Sequence, residues 1–407
     1  MNRAFTKEYF FTGRFLFDKR IAIIIWFGLA LAGVLQAFAE NGLNNYFIYK
    51  QVFFHSLHQT DLYQPYPSEY GDVNLYGPFF SLVIAPFALL PDKIGAVCWV
   101  LANAGFLFWA ISKLPLENKW KALLLILCSH ELMISSASLQ TNPLICGCII
   151  VSFSFIQKQK EAYALFFIML ATFIKLYGIV GLAFFFFSKK PFQFILWMIL
   201  WSIILFFSPL MITNFSFLFQ SYKDWLHALR IKSAKNVLMD SSSLYQNVSV
   251  PGMIRRIFYL PGLNDLLVII PAIVLFLSQY LKFNYFNDIR LRLYILCSVL
   301  ISTTIFSTGS ESSTYIIAMP GICIWYFLQP KTKWVNIFFI ALFLLTTFAY
   351  SDIFTAWSRH HLFRPYSLKA LPSFILWIVI LVQIHRKQFL KALDIFPKQK
   401  NETAALS

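Results

Sequence analysis

Long apolar runs, separated by short polar segments, make up most of this chain. The clearest of them cover residues 21–39, 94–111, 122–137, 192–212, 266–281, 293–306, 315–328, 335–350 and 371–382. Shorter or broken runs cover 79–90, 143–156 and 162–187, and Lys175 interrupts the last of these. Lipid offers the backbone no hydrogen-bond partner, so such runs cross a bilayer as helices. The pattern predicts an all-α polytopic membrane protein with about 11–13 transmembrane helices, in which 162–187 is one broken pass or two half-length passes.

The composition supports this class. Hydrophobic residues make up 58% of the 407 residues, and charged residues make up only 13%. A soluble protein of this size needs far more charge to cover its surface. We therefore expect one integral membrane domain over 1–407.

The net charge of +16 is concentrated in short segments between the apolar runs. These segments are 14–20, 188–190, 282–292, 330–333 and the tail from His385. Lys and Arg collect in cytoplasmic loops, so this distribution argues against a nucleic-acid partner. It predicts cytoplasmic segments at 1–20 and 386–407, and external loops at 40–78, 214–264, 309–313 and 351–367. For the membrane itself we expect a plasma membrane of bacterial type. The number of crossings between 78 and 189 stays open. The basic segment 157–160 lies on the cytoplasmic side only if one of the short apolar runs does not cross the membrane.

The external segment 40–78 concentrates side chains suited to chemistry or recognition. It contains six tyrosines and four of the chain's eighteen carboxylates. Tyrosines suit sugar binding, and they suit an aromatic belt at the membrane surface equally well. Glu69 and Asp72 lie shortly before the chain re-enters the membrane, where a carboxylate of raised pKa can act as a general base toward a hydroxyl. The plain alternative for each is a solvated loop acid.

Polar side chains also interrupt the apolar runs. Lys175 is the clearest case, because a charge at membrane depth is costly and marks a functional site by default. The alternative is a lysine whose long side chain reaches the membrane surface and keeps its ammonium in water. Gln140 and Asn142 precede a helix whose first backbone N–H groups are free for an anion or a sugar. External loops add Arg255, Arg256, Glu311 and His360 as candidate substrate-binding residues. Cations on that face would neutralise a phosphate leaving group or bind anionic lipid headgroups.

Motifs for nucleotide and metal chemistry are missing from the sequence. It contains no GxxxxGK[ST], GxGxxG, HExxH or CxxC. Any activated group must therefore arrive by another route, and we expect neither a metal nor another cofactor.

An ordered set of segments resembles glycosyltransferase family 87, the polyprenol-phosphate-sugar-dependent membrane transferases of the GT-C fold class. In chain order the segments are NNYFIYKQVFFHSLHQTDLYQPYP, LYGPFFSLVIAPFALLP, LQTNPLI, FIKLYGIVGLAFFFF and ESSTYIIAMPGICIWYF. The resemblance implies a GT-C-like bundle with a long external first loop. It also implies a polyprenyl-phosphate sugar donor and inverting transfer, with an acid of the first external loop as base.

Several single residues follow the family pattern. Lys175 matches the family's lysine, and Tyr49 matches the tyrosine of its first external loop. Gln140 and Asn142 match a GQxN-like segment, although Leu139 replaces its glycine.

The catalytic acid of the family does not follow the pattern. Family members usually carry Asp four residues before Tyr49, and this chain has Asn45 there. An amide is not a useful base, so Asn45 counts only as a substrate-binding candidate. Either the base has moved to Glu69 or Asp72, or this member is inactive or divergent.

These features predict a cell-envelope glycosyltransferase that moves a hexose, preferably mannose-like, from a polyprenyl-phosphate donor on the external face. The expected partners are membrane lipid, the polyprenyl-phosphate sugar, and a glycan or glycolipid acceptor. Two other classes stay open. A polytopic transporter or lipid flippase also needs charge within the membrane, and a non-catalytic family member would fit Asn45.

Overall fold

The structure is a computed structural model that describes residues 14–237 and 246–397. The parts of the two predicted terminal segments at 1–13 and 398–407 lie outside the described residues. Within the described ranges, every regular element is helical. The predicted all-α class is confirmed.

Most neighbouring helices are joined by short connections, and the longer segment 59–79 separates the second α-helix from the third. The α-helices are α1 (Lys19–Ala39), α2 (Asn44–His58), α3 (Phe80–Ala88), α4 (Asp92–Lys113), α5 (Asn118–Ala137), α6 (Asn142–Gln157), α7 (Glu161–Ile174), α8 (Pro191–Phe207), α9 (Phe215–Val237), α10 (Val250–Ile257), α11 (Leu266–Ser278), α12 (Ile289–Ile305), α13 (Ala318–Leu328), α14 (Lys333–Phe348), α15 (Ala356–Ser358) and α16 (Ala370–His385). Tighter 3-10 segments are Arg14–Phe17, Leu176–Phe187, Ser208–Met211, Gln279–Tyr285, Ser312–Ile316 and Gln388–Lys391, and a wider turn is Arg359–Phe363.

Many of these helices are apolar enough to lie in a membrane. Five of the described helices have the length and composition to cross it, namely Lys19–Ala39, Asp92–Lys113, Asn118–Ala137, Pro191–Met211 and Leu266–Tyr285. Six shorter apolar helices are Asn142–Gln157, Glu161–Ile174, Leu176–Phe187, Ser312–Leu328, Lys333–Phe348 and Ala370–His385. A polytopic helical membrane protein is therefore confirmed, and the number of crossings and the GT-C arrangement stay predictions.

The short apolar run at 79–90 forms a helix that cannot cross a bilayer alone. α3 has nine residues, which rise about 14 Å. A hydrocarbon core is roughly 30 Å thick. If this run does not cross the membrane, the segment 157–160 and the other basic segments lie on the same side of it.

The run at 162–187 folds back on itself at Lys175. α7 ends at Ile174, Lys175 has extended backbone, and the 3-10 helix Leu176–Phe187 returns. At the far end the Ser188 hydroxyl donates to Glu161 Oε1 (2.7 Å), and the Lys189 N–H donates to Gln159 Oε1 (2.8 Å). The predicted break at Lys175 is confirmed, and the prediction that its two halves are half-length passes stays a prediction. The basic segments at 157–160 and 188–190 lie at the same end of the molecule.

In its described parts, 214–237 and 246–264, the segment predicted as an external loop contains two helices. α9 buries Leu218, Ser221, Trp225 and Asn236, which recur at helical spacing, while most of its other residues are exposed or half-buried. Such a pattern is typical of an amphipathic helix at a surface. α9 lies over the last part of the loop 40–78, because the Trp225 indole N–H donates to the Leu75 carbonyl (2.9 Å).

Candidate active site

A polar cavity of about 300 Å³ lies where the turn at Lys175, the segment 72–76, α9 and the segment 307–314 meet. We call it the inner cavity. The predicted site residues among its lining are Asn45, Tyr49, Asp72, Gln140, Lys175 and Glu311, and residues not predicted as site residues include Tyr76, Tyr177, Lys232 and Asn236. The fold thus brings together six predicted residues that are far apart in the sequence.

Five of the six tyrosines of the loop 40–78 are buried inside the protein. Tyr46, Tyr49, Tyr63, Tyr70 and Tyr76 are buried, which argues against an aromatic belt at the membrane surface. The hydroxyls of Tyr49 and Tyr76 form a hydrogen bond of 2.8 Å, and the Tyr76 hydroxyl donates to Gln140 Oε1 (3.1 Å). Burial raises the pKa of Tyr76 to about 12. Its phenol therefore stays protonated at neutral pH and serves as a hydrogen-bonding group at the cavity wall.

Lys175 presents its ammonium to the inner cavity. Its Nζ donates to Asn142 Oδ1 (3.3 Å), and the Asn142 amide donates in turn to Ser313 Oγ (3.4 Å). The ammonium also lies 4.7 Å from the ring centre of Tyr177 and 5.9 Å from that of Tyr76. An ammonium has three donors, so this arrangement orients Lys175 and leaves it able to bind an anion in the cavity.

Glu311 begins the 3-10 turn Ser312–Ile316. Its carboxylate accepts from the Thr314 backbone N–H, while its own N–H donates to Thr314 Oγ1 (3.1 Å). Burial raises the pKa of Glu311 above its usual value, and the nearby charges of Lys175 and Lys232 counteract that shift. The inner cavity therefore couples carboxylate and ammonium groups electrostatically.

The two candidate bases lie in different places. Asp72 lines the inner cavity, pairs with Lys232 at 3.5 Å and keeps 49% of its side chain exposed. Glu69 does not line the cavity and pairs with His55 Nε2 at 2.9 Å. The structure therefore brings Asp72, and not Glu69, to the other site residues.

Asn45 and Leu139 lie at one turn beside the cavity. The Asn45 amide donates to the Ser138 carbonyl (2.8 Å), and the Trp99 indole N–H donates to the Leu139 carbonyl (3.1 Å). Leu139 has a φ of 51°, the left-handed conformation that glycine adopts at least cost. Leucine therefore occupies a backbone conformation here that favours glycine.

Arg255, Arg256 and His360 are predicted site residues that do not line the inner cavity. Arg255 pairs with Asp265 (2.5 Å), and Arg256 donates to the Ser367 hydroxyl and to the Gln246 carbonyl (3.0 Å). His360 is exposed on another loop. None of the three lines the cavity, so the structure does not place them with Lys175.

Lys232 and Asn236 are the main cavity residues that the sequence analysis missed. Both lie on α9, whose polar composition conceals it among loop residues. The signal that would have revealed them is the spacing of Leu218, Trp225 and Leu229 along one helical face, which Lys232 and Asn236 continue.

Fold and cavity together define a polytopic helical membrane protein with a polar, charged cavity. The family model of glycosyltransferase family 87 matches residues 74–308, which is 235 of the 407 residues. The chain therefore belongs to glycosyltransferase family 87. The match includes Gln140 and Lys175, while Asp72 and Glu311 lie outside it. Searches of curated proteins and of solved structures found no match.

Proposed function

We propose that this protein transfers a hexose, mannose-like by preference, from a polyprenyl-phosphate donor to a lipid-linked or glycan acceptor on the external face, with inversion. Family membership supports glycosyl transfer in general. The inner cavity supports the specific chemistry, because it combines an accessible carboxylate at Asp72 with an ammonium at Lys175.

The observation that best supports a lipid-linked donor is an apolar groove beside the inner cavity. The groove encloses about 400 Å³ and includes Ile179, Ala183, Phe276 and Phe306. Two chain segments connect the inner cavity with the groove. In the first, 175–177 line the cavity and 179–186 contribute to the groove. In the second, 307–309 line the cavity and 302–306 contribute to the groove. A molecule with a polar phosphate-sugar head and a long apolar tail fits such a pair of sites.

The groove is accessible from the lipid side of the bundle. Ile179, Ile273 and Leu277 are each about half exposed, at 51%, 50% and 53%. A polyprenyl chain would cover these side chains, and its burial would contribute roughly 25 cal/mol per Å² of apolar area. Lys175 begins the helix that continues into the groove, so the donor's phosphate would lie against Lys175.

The proposed reaction is a single displacement. Asp72 takes the proton of an acceptor hydroxyl, whose oxygen attacks the anomeric carbon. The bond from that carbon to the phosphate oxygen breaks, and polyprenyl phosphate leaves with the bonding electrons. Lys175 stabilises the negative charge that develops on the leaving phosphate. Asp72 suits the role of base better than Glu311, since the Glu311 carboxylate is only partly exposed and caps a helix turn through the Thr314 backbone N–H.

The proposed orientation places both termini in the cytoplasm of a bacterial-type cell, with the protein integral to its plasma membrane. The basic segments at 157–160 and 188–190 would lie on the cytoplasmic side under the positive-inside rule. The turn at Lys175 would then lie toward the external side, where flipped lipid-linked sugars are presented.

The experiment uses purified protein in proteoliposomes with a radiolabelled polyprenyl-phosphate mannose and a soluble mannoside acceptor. The expected result is a new glycosidic bond of inverted anomeric configuration. Movement of the donor across the bilayer without a new bond would instead favour a transporter. Activity in Asn45→Asp alone, with none in the wild type, would identify a non-catalytic member.

A further inference from the structure

A second polar cavity lies on the outer side of Asp72. It encloses about 270 Å³ between α9 and the segment 61–65, and we call it the outer cavity. Asp72, Val73 and Lys232 line both the inner and the outer cavity. The Asp72–Lys232 pair is therefore the wall between the two spaces, and its carboxylate is accessible from both.

The walls of the outer cavity are held by defined contacts. The Tyr63 hydroxyl donates to the Tyr76 carbonyl (2.9 Å), and the Trp225 indole donates to the Leu75 carbonyl (2.9 Å). Leu62, Tyr63 and Trp225 also form a small buried cluster. These contacts attach both walls of the outer cavity to the segment that also lines the inner cavity.

We propose that the outer cavity binds the acceptor, and that the acceptor is a hydroxyl-rich saccharide. The inference rests on the proposed function, which puts the donor in the inner cavity and the groove. The remaining space that reaches Asp72 is then on the outer side. A saccharide hydroxyl bound there would meet the carboxylate that takes its proton.

The lining chemistry favours a neutral polyol over an ion. Asp61 and Asp224 provide acceptors, Lys235 provides donors, and Gln64 provides both. Tyr63 and Pro65 add apolar surface suited to the C–H faces of a sugar ring. An anion would face the three carboxylates of Asp61, Asp72 and Asp224, and a cation would face the two ammonium groups of Lys232 and Lys235.

The test compares two lysines of the same exposed helix. Lys235→Ala removes a donor from the outer cavity, and Lys223→Ala removes an exposed lysine outside its lining. Gln64→Ala is a neutral second variant. Transfer rates are measured with polyprenyl-phosphate mannose as donor, and with methyl mannoside and octyl mannoside as the free and lipid-anchored acceptors.

The expected result is a rise of about tenfold in acceptor KM for Lys235→Ala and for Gln64→Ala, from the loss of hydrogen bonds. Donor KM would stay unchanged, and Lys223→Ala would behave as wild type. Use of both mannosides would identify the saccharide itself as the recognised chemistry, and use of the octyl form alone would identify a glycolipid. An unchanged acceptor KM in both cavity variants, or an equal rise in donor KM, would overturn the acceptor site alone. A wild type that leaves the donor intact would overturn the proposed function and this inference with it.

Discussion

Replacement of Lys175 by Met tests how the inner cavity stabilises a leaving phosphate. Methionine keeps an unbranched stem of similar length and removes the ammonium that now contacts Asn142 at 3.3 Å. Two unit charges about 4 Å apart interact by roughly 4 kcal/mol at an effective dielectric constant of 20. Removal of one such donor from a charge-stabilising site typically costs about 10²–10³ in turnover. We therefore expect kcat to fall by about that factor.

The assay is steady-state transfer from a polyprenyl-phosphate sugar, with donor and acceptor varied separately. Lys160→Met is the matched control, since it removes an exposed lysine next to the opposite end of α7. The melting temperature in detergent shows whether Lys175→Met is folded, so that a loss of turnover can be assigned to the missing ammonium. A folded Lys175→Met protein with turnover close to that of the wild type would refute a phosphate role for this lysine.

Three further predictions concern groups around the site. Burial raises the pKa of Glu311, so on acidification the folded protein takes up this proton at a higher pH than the unfolded chain does. The free energy of unfolding should therefore rise as the pH falls through that range, and Glu311→Gln should lack this rise when unfolding is measured over the same pH series. Lys369 and Glu131 form a fully buried ion pair at 3.2 Å. Lys369→Met should therefore lose about 3–5 kcal/mol of stability, because it leaves a buried carboxylate without its partner. The double variant Lys369→Met, Glu131→Gln should recover most of that loss in thermal unfolding, and no recovery would contradict the pairing. A Cβ on Gly77 would lie 2.2 Å from the Phe173 carbonyl oxygen, so Gly77→Ala should displace the segment 72–76 and reduce turnover by up to about 10²; wild-type rates would show that the close contact is unimportant.

The hydrophobic pattern alone predicted most of the bundle. The run at 94–111 became α4 (Asp92–Lys113), and the run at 371–382 became α16 (Ala370–His385). The break at Lys175 was also predictable, since a lysine inside an apolar run is costly in lipid. These features are predictable because lipid favours apolar side chains and disfavours charges at every position of a run, without any contact to distant parts of the chain.

Other features depend on contacts between distant parts of the chain and could not be read from spacing. Glu69 and Asp72 are three residues apart, yet one pairs with His55 and the other with Lys232. The partner Lys232 lies on α9, a helix too polar to produce an apolar run. Which acid reaches the cavity is therefore decided by the packing of α9 over the loop.

The measurement that tests the central claim most directly is sugar transfer by Asp72→Asn compared with Glu69→Gln. Both substitutions remove one carboxylate from the same loop, and only Asp72 lines the inner cavity. With polyprenyl-phosphate mannose as donor, Asp72→Asn should lose about 10²–10⁴ in turnover, the usual contribution of a general base. Glu69→Gln should keep most of its activity. Full turnover in Asp72→Asn, or the larger loss in Glu69→Gln, would contradict Asp72 as the base.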